Sequence, residues 1–454
     1  MDRRRLMVDK YQVMHSATLH DQGGRRKWIA LAGLGFASGL PLMLTGRTLR
    51  LWARDQGADL TAVGLLGLVT LPYAYKFLWA PLMDRVTPPL LGRRRGWLLI
   101  AQMMLMAAIA GMAFTGPQSG GASLKVFAVL ALMVAFFSAS QDIVSDAYRT
   151  DVLQPTELGR GASLFTSAYR LAMLAGGAGA VALAAFLSWQ SVYLVAAAAM
   201  AFGIISVMLA PNPPSSASAP ESFAGAVVEP VRDFFRRNGR HAWMIAIFIF
   251  AFKLPDYMAA AMTDAMLLDI GFTKQAISIW SLGVGTAVTI PGALIGGVIV
   301  TRLGLHRSLV VFGLAQALSN CGYLLLAGIG QPNQIIMIIA VGIEYFCMGL
   351  VAAGFIAFLM SQCNQRYSAT QYALLSSLMG LSNSVAGVPS GFLVKWFGYP
   401  WYFVITILAA IPGLMLLRWL VPAKHQQSAC ARCGCAISSP SCPECGTQVM
   451  SRAA

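Results

Sequence analysis

Charge is scarce in this chain. Asp, Glu, Lys and Arg make up 11% of its 454 residues, where soluble globular domains carry about 25%. Acidic residues are the rarer kind, 18 against 33 basic ones. With 57% hydrophobic residues and a mean hydropathy of +0.65, this shortage excludes a soluble fold. Nucleotide and hydrolase motifs are missing too. There is no G-x-x-x-x-G-K-S/T loop to cradle phosphates, no G-x-S-x-G elbow and no H-E-x-x-H helix. The chain is therefore not expected to be an enzyme. Its basic start, Asp2 to Arg5, leads to no small-residue cleavage pattern, so a cleaved signal peptide is not expected.

What is present is a succession of apolar runs, each near the roughly 20 residues that cross a bilayer. They fall near 29–52, 60–82, 97–115, 125–148, 161–187, 191–210, 242–267, 275–300, 308–329, 334–361, 371–395 and 400–421. The reading is an all-α membrane protein. The net charge of +15 does not point to nucleic acid, because the basic residues sit on alternate loops. They fill the N-terminal tail, the loops after even-numbered spans and the C-terminal tail. Only Arg54, Lys125, Lys274 and Lys395 lie on the other side. That bias places both termini in the cytoplasm.

Residues 211–241 interrupt the pattern. A polar stretch opening at Pro211 is followed by an amphipathic segment, with Val227, Val228, Val231, Phe234 and Phe235 set against Arg232, Arg236 and Arg237. It is expected at the cytoplasmic interface of the bilayer. The expected organisation is a basic tail (1–28), six spans (29–210), this linker (211–241), six spans (242–421) and a cytoplasmic tail (422–454). Short basic, glycine-containing loops after spans two and eight echo each other, as the related halves of a facilitator do.

A charge at bilayer depth costs about 2.5–3.5 kcal/mol on the most lenient scale, so intramembrane ionisable residues point to function. Asp142 and Asp146 lie four residues apart, on one face of a helix. Two carboxylates so close in apolar surroundings are not both ionised without cost, which makes the pair the first candidate for proton coupling. The competing reading is a static ion pair with Arg149, or with Arg170 reaching across from the next helix. Glu344, in the middle of span ten, is the second candidate, though it could instead pair with Lys253 and lock the second half; Asp256, three residues after Lys253, is also close enough for a local pair.

Several blocks resemble the AmpG-type muropeptide permeases, a branch of the major facilitator superfamily. They are Gly35 to Leu42, Lys76 to Arg85 continuing to Leu98, Ser138 to Asp146 with Thr150 to Leu153, and Met360 to Asn364 with Tyr367 to Ser376. Lys253 to Asp256 and Tyr169 to Met173 also match. The resemblance implies a major facilitator fold of twelve transmembrane helices in two six-helix halves. It further implies a multi-pass protein of the bacterial inner membrane that imports anhydro-muropeptides, small glycopeptides, by proton symport. An anionic cargo needs fixed cations, and the candidates are Lys76, Arg170 and Lys253, with Gln141 and, nearer the outer mouth, Arg47 and Arg50. Arginine suits carboxylates because its planar fork binds them bidentately. Asp84, Arg85, Arg93, Arg94 and Arg302 fall in the facilitator loops and are expected to gate the inner mouth. The chain departs from the family at Ser281 and Leu282, where a lysine is common, and at Arg47 and Arg50, where relatives are uncharged. Those departures leave open another anionic or amphiphilic cargo, such as a peptide, a siderophore or an acyl-CoA.

The tail carries two C-x-x-C pairs, Cys430 with Cys433 and Cys442 with Cys445. Paired thiolates at that spacing suit one tetrahedral structural zinc, and a reducing cytoplasm favours metal over disulfide. A membrane sensor that recruits a cytoplasmic protein through this tail is the alternative from another class.

Overall fold

The computed structural model describes residues 3–57, 66–117, 121–213 and 223–420. The cysteine tail, with the four expected zinc ligands Cys430, Cys433, Cys442 and Cys445, lies outside the described residues. Every regular element among the described residues is helical. Hydrocarbon offers no water to backbone N–H and C=O groups, so a spanning segment must satisfy them internally.

Span one is helix α1 (Arg3–Thr45), broken at Gly46 and continued by α2 (Arg47–Asp55). Span two, expected as one run, is a chain of short pieces. These are a 3-10 turn at Leu66–Thr70, α3 (Leu71–Tyr75), a 3-10 turn at Lys76–Leu78 and α4 (Ala80–Arg85). Pro72 and Pro81 each stand in the first turn of a short helix. There a missing N–H costs nothing, whereas in a continuous span it would break the ladder. Helices α5 (Gly92–Thr115) and α6 (Gly121–Val152) form spans three and four. Span five runs through α7 (Leu158–Leu174), a π segment at Ala175–Gly179 and α8 (Ala180–Ala184). Span six is α9 (Trp189–Ala199) with α10 (Ala201–Leu209).

The linker forms α11 (Phe223–Asn238). Span seven is α12 (His241–Asp269). Span eight joins α13 (Lys274–Ile277), a π segment at Ser278–Gly285 and α14 (Thr286–Leu303). Spans nine and ten are α15 (Leu305–Ile329) and α16 (Gln334–Gln362). Helix α17 (Ser368–Leu408) carries span eleven into span twelve through a break at Gly398, whose φ of +75° suits a residue without a Cβ. Helix α18 (Ala410–Leu420) ends span twelve. Ten stretches among the described residues are long and apolar enough to cross a membrane. Broken span two and serine-rich span eleven complete the twelve.

The same pairings recur in each half. Helix α1 packs on α7 as α12 packs on α17, and α5 packs on α9 and α10 as α15 packs on α17 and α18. Two six-helix repeats follow from that, as the facilitator architecture requires. Between the halves, α7 packs on α14 and α4 packs on α17. These two contacts are equivalent under the repeat. The first is a close backbone approach. A Cβ on Gly297 would lie 2.2 Å from the Ser163 hydroxyl oxygen, and one on Gly159 would lie 2.6 Å from a Val300 methyl. Small residues at such crossings let helices pack without a hydrophobic driving force, which lipid does not supply.

Candidate functional site

The α4–α17 contact is built on charge. Asp84, at the end of α4, is fully buried. Its carboxylate accepts hydrogen bonds from the Thr370 amide (2.8 Å), the Thr370 hydroxyl (2.7 Å) and the Ala369 amide (3.3 Å) of the other half. It thereby caps the N-terminus of α17, where unpaired N–H groups and the helix dipole favour an anion. Arg94 binds Asp84 and Asp151, each at 2.8 Å, and donates to the Ser368 hydroxyl at 2.7 Å. Arg93 donates to the Asp84 carbonyl at 3.0 Å. These contacts close the end of the bundle that bears the linker. Arg85 is half-buried and Arg302 is exposed; neither joins this network. Asp151, Ser368 and Thr370 complete it, and all three were missed in the sequence because their partners lie far away along the chain.

Deeper in the bundle, Asp146 pairs with Arg149 one turn along α6, and with Lys76 at 3.8 Å. The Arg149 guanidinium lies over the Phe165 ring, 4.0 Å from its centre, and donates to the Tyr372 hydroxyl of the other half at 3.3 Å. Its Nε and Nη1 are buried without an acceptor among the described residues. Arg170 does not reach Asp146, because Arg149 lies three residues away and already occupies that carboxylate. Asp142 is half-buried, within electrostatic reach of Lys76 and Arg149. Gln141 is buried and donates to Ser38 at 3.0 Å, with its own carbonyl unpaired among the described residues.

Arg170 lies within electrostatic reach of Tyr169 and, across the halves, of Tyr257, Tyr345 and Lys253. It forms no ion pair among the described residues, and its hydrogen-bond contact is with the Met173 sulfur. Of the two partners open to Lys253, Glu344 is not the one it takes. Lys253 pairs instead with Asp256, 2.6 Å away and one turn along the same helix. Glu344 is buried and accepts from the Gln316 amide at 2.8 Å and from the Ser319 hydroxyl, with no cation paired to it among the described residues. A narrow cleft of about 10 Å³, room for one water, is lined by Phe252, Asp256, Leu414 and the same Gln316 that donates to Glu344, among others. Arg47 and Arg50 are exposed at the end of the bundle away from the linker. There Arg47 donates to Ser278 of the other half at 3.4 Å. The arrangement offers cations in a polar interior and carboxylates near them, with no nucleophile–base pair among the described residues.

Comparison with known proteins agrees with this geometry. The sequence profile of the Major Facilitator Superfamily matches residues 28–387. The chain is 44% identical over 386 residues to the anhydromuropeptide permease of Escherichia coli strain K12, covering 85% of this chain and 77% of that one. It is 36% identical to an uncharacterized protein of Haemophilus influenzae, covering 91% and 99%. It is 30% identical to the putative transporter AmpG 4 of Rickettsia conorii, covering 85% and 94%. Among solved structures, the transporter FucP in its outward conformation aligns with TM-score 0.64 at 12% identity, covering 87% of this chain and 98% of that one. The proton:xylose symporter XylE aligns at 0.63 and 13%, covering 87% and 94%. Those two likenesses speak for the fold alone.

Proposed function

The chain belongs to the major facilitator superfamily, in the branch of the AmpG-type permeases, and from that premise we propose that it imports anhydro-muropeptides into the cytoplasm by proton symport. It is a multi-pass membrane transporter rather than an enzyme. The observation that carries the cargo is the 44% identity to a permease for that substrate. The polar interior is compatible with it. Arg170, with no carboxylate partner among the described residues, supplies a fixed positive charge for the carboxylates of a glycopeptide. Lys253 and Lys76, each already paired to an aspartate, provide further positive charge once the cargo competes for them. Gln141 adds a carbonyl without a donor.

In this reading Asp142 and Asp146 exchange the proton. Neutralising either one loosens its hold on Lys76 and Arg149. Asp84, Arg93 and Arg94 hold the inner mouth shut while the outer side receives substrate. The positive-inside bias supports cytoplasmic termini and an inner-membrane location.

The test is uptake of a labelled anhydro-muropeptide into orientation-controlled vesicles under an imposed pH gradient. Wild type is compared with Asp142→Asn and Asp146→Asn. Uptake that follows the gradient and collapses in either variant is the expected result. No uptake by folded wild type would remove the muropeptide cargo. Gradient-driven uptake that survives both substitutions would move the proton site, with Glu344 next to be replaced.

A further inference from the structure

Helix α11 has two faces, and the gate uses one of them. On that face Asp233 accepts from Arg237 Nε (2.9 Å), Gln371 Nε2 (3.0 Å) and Asn364 Nδ2 (3.2 Å). Gln371 also donates to the Pro230 carbonyl at 2.9 Å, and Tyr367 donates to Glu229 at 2.7 Å. Burial pushes the Asp233 carboxyl up, but the hydrogen bonds from Gln371, Arg237 and Asn364 and the charge of Arg237 outweigh it. They hold the group below the ordinary carboxylate value. The helix packs on α4 of the first half and on α17 of the second. It is a strut beneath both sides of the closed gate.

The other face is apolar and open. Val227, Val228 and Val231 are exposed by 43%, 59% and 42%. Phe235 meets the Trp243 ring edge-on at 5.1 Å. Trp243 opens the membrane-spanning helix α12, and one turn further Ile247 is more than half exposed. The ridge on α11 is thus continuous with the lipid-facing side of a span. Exposed Arg232, Arg236 and Arg240 flank it. Arg236 meets Asp233 only at 3.9 Å and keeps 81% of its side chain exposed.

We propose that this face binds the anionic phospholipid headgroups of the bilayer and that the bound lipid steadies the closed gate through Asp233. The valines and Phe235 sit at the acyl boundary, and the three arginines meet headgroup phosphates. A basic amphipathic helix lies in the interface in this way. Each arginine near an anionic surface is worth about fivefold in affinity. Free phosphate satisfies the charges but leaves the valines in water, so the occupant is lipid. The inference stands apart from the identity of the cargo.

The test uses the full chain in vesicles of phosphatidylethanolamine alone, and in the same vesicles with phosphatidylglycerol added. Deuterium exchange over residues 223–240 is read by mass spectrometry. Phosphatidylglycerol is expected to slow exchange about tenfold in wild type. The combined variant Arg232→Gln, Arg236→Gln, Arg240→Gln is expected to lose that response and to match wild type in phosphatidylethanolamine alone. Raising ionic strength is expected to shrink the wild-type response, which keeps the test decisive should the variant fail to fold. Equal exchange in both vesicles overturns the proposal. So does a response that survives the combined variant or high salt, or equal slowing by inorganic phosphate in detergent.

Discussion

Replacing Asp84 with alanine is the most direct probe of the gate. The carboxylate receives two backbone N–H groups and one hydroxyl from the other half. In the proposed gate those three bonds join the halves and are lost as the halves part. An N-cap side chain is worth about 0.5–2 kcal/mol, and a negative charge at a helix start adds about 0.3–1 kcal/mol. Part of the loss returns as water reaches the freed amides of α17. A net shift of about 1–2 kcal/mol remains, which favours the open gate roughly five- to thirtyfold. Arg94 keeps Asp151 and Ser368, so it is not left as an unpaired buried charge. Thr87 and Gln365 are both exposed at this end, one in each half. Spin labels at Thr87→Cys and Gln365→Cys, in a background freed of native cysteines, report the distance between the halves by electron double resonance. Asp84→Ala is expected to move population to longer distances. Asp84→Asn is expected to fall between, since asparagine also caps helices. A folded Asp84→Ala protein with the wild-type distance distribution would refute the capping argument.

Gly297→Val places branched carbon where Ser163 and the Gly159 carbonyl already sit, so it is expected to hold the α7–α14 contact apart, abolish uptake and lengthen the same spin-label distance. Lys253→Met leaves the half-buried Asp256 carboxylate unpaired, at a cost of about 3 kcal/mol, the low end for breaking a buried pair. The double variant Lys253→Met, Asp256→Leu is expected to recover much of the thermal stability while transport stays lost; a double variant no more stable than the single one would show that the pair is not a structural unit. Asp233→Asn tests the strut against pH. The folded carboxyl lies below its ordinary value, so its contribution is present above the unfolded value and is lost as pH falls through the folded one. The stability gap between wild type and Asp233→Asn is therefore expected to stay constant from neutral pH down to about pH 5 and to close in stronger acid; a gap that closes nearer neutrality would contradict the sign.

The twelve spans and their division were legible because the physics behind them is local. Runs of apolar residues announce helices, and the basic loops announce a side. The breaks in span two were legible in Pro72 and Pro81 only after the fact, since Pro41 and Pro255 stand inside helices that continue past them. Asp84 was legible from its loop, but its partners on α17 lie 285 and 286 residues away, at Ala369 and Thr370. No periodicity links such positions. The pairing of Lys253 went to Asp256 rather than Glu344 because a partner one turn away needs no tertiary arrangement to be reached. Glu344 found Gln316 and Ser319 on α15, neutral groups that carry no signal in a scan for charge.

The two contacts between the halves are related by the repeat yet differ in kind. Where α7 meets α14, Gly159 and Gly297 bring backbones together, and such contact fades within an ångström of separation. Where α4 meets α17, charge-assisted bonds act over a longer range. The aspartate pair is hydrogen-bonded toward the charged contact, and meets α7 of the glycine contact through the Phe165 ring. Arg149, bound to Asp146, donates to Tyr372, and Tyr372 lies on α17 two residues beyond Thr370. If Asp146 takes the proton, as proposed, Arg149 is freed from its carboxylate and what Tyr372 holds changes, which gives protonation a hydrogen-bonded route to the charged contact. Tyr372→Phe removes only the hydroxyl. It is expected to leave the protein folded and the gate able to close, yet to weaken the dependence of uptake on the pH gradient several-fold. Uptake by Tyr372→Phe with the wild-type pH profile would break this link between Asp146 and the charged contact.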